Sequence, residues 1–172
     1  MQQATTPASP ATHYRSKTLA TWLALLAGPL GLHRLYLNGL RDPWAWAHLP
    51  PTLAGLVGLS RIREFGQDDR LAWALLPVLG LMVALSCLTA IVYALTPDAR
   101  WDARRNPGRE PVATGWGPVL AAVAALMVGG IAFMGAVAYG GQKFFEWQIE
   151  ADRAAAATAA PSRPQNSQRL TP

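Results

Sequence analysis

LAWALLPVLGLMVALSCLTAIVYAL, Leu71 to Leu95, contains no charged residue and stands between Arg70 and Asp98. A helix of about 20 apolar residues crosses a hydrocarbon core of roughly 30 Å, so this run is long enough to cross with some tilt. Pro77 and Gly80 predict a kink one or two turns in. Thr96-Pro97-Asp98 ends the helix, because the residue before a proline is pushed out of the helical region. A second uncharged run, Trp116 to Tyr139, reads the same way. Within it small residues recur at helical spacing: Ala121, Ala125 and Gly129, then Ala132, Ala136 and Gly140. Such spacing lets helix backbones approach closely, so these six predict a packing face. Gly140-Gly141 should break the helix.

These runs set the class of the whole chain. It has 172 residues, 51% hydrophobic and 15% charged, against about 25% charged in soluble domains. The expectation is one domain, all-α: a polytopic helical membrane protein with about four transmembrane helices, the first two forming a kinked hairpin. The net charge is +5 and the sequence pI ≈ 10.0. The bases come in small groups between apolar runs, with no basic block or stacking array. That pattern fits arginines flanking spans and touching lipid headgroups, and it argues against a nucleic-acid partner. Cys87 is the single cysteine and lies inside an apolar run. It excludes an intramolecular disulfide and a cysteine zinc cluster, and reads as a buried, inert thiol.

Upstream, residues 1–14 read as a disordered tail, followed by a basic collar of His13, Arg15 and Lys17. Span one is expected from about Thr18 to Leu32, or to Leu37 if His33-Arg34 snorkels. A cleaved signal peptide ending near Ala27 is disfavoured by the long polar lead, by Trp22, and by apolar residues continuing beyond. Gly28-Pro29 should kink the span, a break that survives in lipid only where neighbouring protein covers it. Asp42-Pro43 is a helix start, with Asp42 as N-cap and Pro43 at the first helical position. Span two follows over Trp44 to Ser60. His48 and Pro50-Pro51 make its first half irregular, so it is either kinked or begins afresh at Pro51 and is re-entrant. The short connection makes the two spans antiparallel neighbours.

Lys17-Thr18-Leu19, the pattern Gly28-x-x-Gly31-x-His33-Arg34-x-Tyr36-x-x-Gly39 and the apolar segment after it resemble the TM-two domain family. The resemblance covers roughly residues 15–60. It implies a membrane hairpin of two helices joined by a short His-Arg-Phe-Tyr-like turn, and brings no agreed biochemical activity. Leu35 stands where the family has an aromatic residue. Asn38 stands at its glycine, with Gly39 one later.

Residues 61–70 read as a polar connector in which Asp68 and Asp69 are candidate N-caps. Residues 71–95 are span three, 96–115 a proline-broken polar loop, and 116–141 span four. Residues 142–157 mix Phe144, Phe145, Trp147 and Ile149 with charges and read as an interfacial helix or the frayed end of span four. Residues 158–172 are a second disordered tail. Four crossings place both ends on one side. Basic residues near the spans then divide almost evenly, so the collar before span one decides, and both termini are expected in the cytoplasm of a bacterial inner membrane.

No chemistry of a familiar kind emerges. His13, His33 and His48 lack ligand spacing, so no metal or other cofactor is expected. Ser86 and Cys87 have no acid or base nearby in sequence, and Gly129-Gly130 lacks the Lys-Ser/Thr of a phosphate loop. His48 is the one ionisable group midway along a span; a bundle-facing or interfacial histidine outweighs a proton relay or metal ligand there. His33-Arg34 can grip a lipid phosphate or cap the C-terminus of span one, and the second reading is preferred. The chain therefore reads as a non-enzymatic membrane protein with structural or accessory contacts. Its partners are the bilayer and either copies of itself or another membrane protein, with the Ala/Gly face of span four as contact surface. The alternatives are an oligomeric channel or small-solute carrier and, behind it, a lipid-acting enzyme using His33, Arg34 or His48.

Overall fold

The computed structural model describes residues 14–159. The remainder of both expected disordered tails, with His13, lies outside the described residues. Among those described, every regular element is helical. The elements are α1 (Lys17–Ala27), a 3-10 turn (Gly28–Leu30), α2 (Leu32–Asn38), α3 (Pro43–Trp46), α4 (Leu49–Phe65), α5 (Arg70–Leu95), α6 (Asp98–Arg105) and α7 (Gly117–Ala159).

The uncharged run α5 is the hub, touching α1, the 3-10 turn, α4 and α7. Asp69 caps it, its carboxylate accepting from the Ala72 amide at 3.2 Å. The helix continues through Pro77 to Leu95. Against it α4 runs antiparallel. Gly55 lies on Leu79 and Gly58 on Leu75, so closely that an added Cβ would stand 2.5 Å and 2.8 Å from those side chains. The pair closes with Arg61 on Asp69 at 2.6 Å. On another face α7 is also antiparallel to α5. Gly129 meets Cys87, Gly80 meets Ala136, and Gly140 approaches Pro77. At the far end Lys143 stands over the Trp73 ring at 4.9 Å. Small residues permit each of these approaches, because helices at such short separation leave no room for side chains.

Several expected boundaries move. Pro50 and Pro51 occupy the first turn of α4, where a missing N–H costs nothing, and the break falls earlier, at Ala47-His48. The expected connector is helical as far as Phe65. The expected polar loop contains α6. Gly140-Gly141 does not end α7, which runs unbroken to Ala159. An i,i+3 ion pair of Lys143 and Glu146, 2.7 Å apart, spans the turn just past the glycines.

The largest change concerns span one. It does not run through. Gly31 adopts φ 76°, and its amide donates to the Gly28 carbonyl at 2.8 Å. A left-handed residue at a helix end reverses the chain. So α1 descends along α5 as far as Ser86, turns, and α2 returns. Ala20, near the start of α1, shares a buried cluster with Leu37, near the end of α2, and Trp101 of α6. Residues 17–38 are thus a hairpin that enters and leaves at the Leu95 end of α5. Among the described residues three stretches run the length of the bundle, α3–α4, α5 and α7, and of these α5 and α7 are long and apolar enough to cross a membrane. Tyr14 and Ala159 consequently lie at opposite ends of α5.

Candidate functional site at the hairpin end

The polar side chains of the hairpin converge where α5 ends and α6 begins. Ser16 caps α1, its hydroxyl accepting from the Leu19 amide at 3.4 Å. Its own amide donates to the Tyr36 hydroxyl at 2.8 Å. Lys17 is only 5% exposed. It donates to the Thr96 carbonyl at 3.0 Å and pairs with Asp98. Asp98 also accepts from the Thr114 amide at 3.1 Å and hydroxyl at 2.9 Å. The Lys17 ammonium and then the Thr114 donors hold the Asp98 carboxyl below its usual range. Trp101 and Asn106 clasp the backbone of Arg15: the indole donates to the Arg15 carbonyl at 2.9 Å, and Asn106 Oδ1 accepts from its amide at 2.8 Å. Asp102, buried, accepts from Asn106 Nδ2 at 2.6 Å and from the Val112 amide at 2.9 Å.

The motif residues form the inner wall of this assembly. Gly28 is required because a Cβ there would stand 2.5 Å from Ser86 Cβ; at Gly31 it would stand 2.4 Å from the Ala45 carbonyl oxygen, at a φ that already favours glycine. Gly39, at φ 84°, ends α2 with its amide on the Leu35 carbonyl. Arg34 pairs with Asp42 at 3.0 Å, and Asn38 donates to the same carboxylate at 2.6 Å. The Asn38 amide, then the Arg34 guanidinium and the Trp44 amide, lower the Asp42 pKa. Arg105 reaches across from α6 to Asn38 Oδ1 at 2.9 Å.

His33 was expected beside Arg34 at an interface or as a cap. It is 2% exposed, its ring 5.6 Å from that of His48 and 6.0 Å from that of Tyr93, centroid to centroid. Among the described residues its Nδ1 has no hydrogen-bond partner. Arg34 does not cap span one either, since α1 ends at Ala27 and Arg34 belongs to the returning helix. No protein-family model, characterised protein or solved structure matches this chain.

The six small residues of α7 all point inward, Ala121, Ala125, Gly129 and Ala136 buried and Ala132 and Gly140 half-buried. Within this chain they pack against α5 and α1. Beside it, Leu81, Leu85, Leu88, Leu126, Gly130 and Phe133 line an apolar groove, open on the outer surface, of roughly 500 Å³. Ser86 and Cys87 are buried, and among the described residues no acid or base is bonded to them; the Ser86 hydroxyl donates to the Met82 carbonyl. Among the described residues no three His, Cys, Asp or Glu side chains group as metal ligands. Sequence reasoning missed Lys17, Tyr93, Trp101, Asp98, Asp102, Asn106 and Thr114 as parts of one assembly. The only local signal was Asp98, Trp101 and Asp102 at helical spacing in the supposed loop.

Proposed function

We propose that this chain is an integral membrane protein in which α3–α4, α5 and α7 cross the bilayer while the α1–α2 hairpin dips in from one side. It serves a structural or accessory role through helix and lipid contacts, without catalysis. One observation carries the reading. α5 and α7 are long and apolar enough to cross a membrane, yet only 17% and 22% of their most apolar windows are buried within the molecule. The core helix of a soluble protein is mostly buried. Large side chains such as Leu88, Val92, Leu126 and Ile131 instead face outward, and an exposed apolar surface of this extent needs a partner. A hydrocarbon core supplies it. The glycine and histidine-arginine pattern of the hairpin keeps TM-two membership as the family proposal. The reading predicts that the protein stays in the membrane pellet through alkaline carbonate extraction and leaves it only with detergent. Release by carbonate alone would sink it.

A channel or carrier is the second reading, favoured by one feature: the unpartnered His33 nitrogen beside His48 and Tyr93, behind a hairpin that penetrates the bundle. Buried ionisable groups at membrane depth commonly mark a pathway. Ion or solute flux from reconstituted liposomes, lost in His33→Ala or His48→Ala at unchanged protein level, is its signature. Silent wild-type liposomes eliminate it.

A further inference from the structure

The two ends of the bundle differ in what they show to solvent, and tertiary structure creates the difference. At the hairpin end three of the four acids among the described residues are engaged by the molecule's own donors, and Glu110 is the exposed fourth. Asp42 is taken by Arg34, Asn38 and the Trp44 amide. Asp98 is taken by Lys17 and Thr114, and Asp102 by Asn106 and the Val112 amide. Among the described residues the outward charge left at that end is mostly arginine: Arg41, Arg100 and Arg104 are exposed and Arg105 is half-exposed on Asn38, against the one exposed acid, Glu110. Exposed indoles share the end, with Trp44 at 68%, Trp46 at 51% and Trp116 at 76%. Rings of this kind settle at the headgroup level of a bilayer. The opposite end is balanced. Arg61 pairs with Asp69 and Lys143 with Glu146, while Glu64, Asp68, Glu150 and Asp152 offset Arg63, Arg70 and Arg153.

We propose that the hairpin end is a docking surface for anionic phospholipid headgroups, built by Arg41, Arg100, Arg104 and Arg105 within a tryptophan rim. The proposal rests on the membrane reading above. Juxtamembrane arginines gain by lying against an anionic leaflet, and the guanidinium fork matches phosphate oxygens. Drawing Arg15 and Lys17 to this same end enlarges the excess of bases, so the surface also sets orientation. The hairpin end faces the anionic cytoplasmic leaflet, and the α7 extension beyond Lys143 projects on the other side.

The test uses purified full-length protein in nanodiscs and in mild detergent, titrated with phosphatidylglycerol or phosphatidylcholine. Thermal stability and lipids retained in native mass spectrometry are the readouts. The expected result is preferential retention of phosphatidylglycerol, weakening with salt. The preference should fall about fivefold for each arginine removed in Arg41→Ala and Arg104→Ala. An Arg63→Ala, Arg153→Ala control at the other end should keep it. Equal retention of the two lipids, equal loss in the control, or full displacement by inorganic phosphate at millimolar concentration would each overturn the proposal. A protein that proves soluble without detergent instead overturns the membrane reading on which it stands.

Discussion

The backbone amide of Ser16 donates to the hydroxyl of Tyr36 at 2.8 Å, joining the first turn of α1 to the last turn of α2. This bond holds the hairpin closed at its open end, while Gly28 and Gly31 close it at the other. Tyr36→Phe keeps the ring and removes the acceptor. It should cost about 1 kcal/mol, the usual net worth of such a bond, read as a lowered Tm in detergent. An unchanged Tm would show that the hairpin is held by its glycines and apolar contacts alone.

Lys17 and Asp98 form an ion pair of unequal burial, with side chains 6% and 31% exposed. Removing one charge strands the other, and stranding is worse for the more deeply buried group. Asp98→Ala, which leaves the ammonium with only the Thr96 carbonyl, should therefore destabilise by about 1–3 kcal/mol. Lys17→Met, which leaves a carboxylate that still has Thr114 and solvent, should cost less. A reversed order in chemical or thermal unfolding would refute this account.

The same carboxylate gives a pH dependence. Lys17 and Thr114 lower the Asp98 pKa from 3.8, so the folded state binds the proton less readily than the unfolded state does. Its stabilising contribution is complete at neutral pH. It erodes as pH falls through the ordinary value towards the depressed one. Tm in detergent should be flat through neutral pH and fall below about pH 4. Asp98→Asn should reduce that fall; an identical acid limb in the variant would assign it to other carboxylates.

Gly55 and Gly130 offer a matched pair inside helices. A Cβ on Gly55 would stand 2.5 Å from Leu79 Cβ and 2.8 Å from its backbone nitrogen, whereas Gly130 has open space. Gly55→Ala should force α4 off α5 at a cost of about 1–3 kcal/mol. Gly130→Ala should be neutral or slightly stabilising, since alanine is the better helix former. Equal effects in a thermal-shift assay would contradict the close α4–α5 approach.

The three crossings and re-entrant hairpin proposed above would put the ends of the described chain on opposite sides of the bilayer. A reporter ahead of Tyr14 and another after Ala159 should give opposite signals, with the first cytoplasmic. Matching signals would restore four crossings and exclude the hairpin as drawn.

The sequence alone determined what is local. The uncharged stretches Leu71–Leu95 and Trp116–Tyr139 specify long apolar helices by length and composition. Asp42 before Pro43, and Asp69 before Arg70, mark helix starts because their side chains satisfy free amides. Small-residue spacing picks out the α7 face that α5 and α1 fill. Tertiary structure decided the rest, because it depends on contacts between residues far apart. Gly28-Pro29 permits both a kinked span and a reversal; the short distance to Ser86 and Ala45, and the bond from Ser16 to Tyr36, select reversal. His33 reads as interfacial beside Arg34 until the returning helix buries it against Tyr93. Asp98 and Asp102 look like solvated loop charges until Lys17, Thr114 and Asn106 turn them inward. That last rearrangement leaves arginine outnumbering acid on the surface of one end, and with it the charge asymmetry that a residue count along the chain had nearly cancelled.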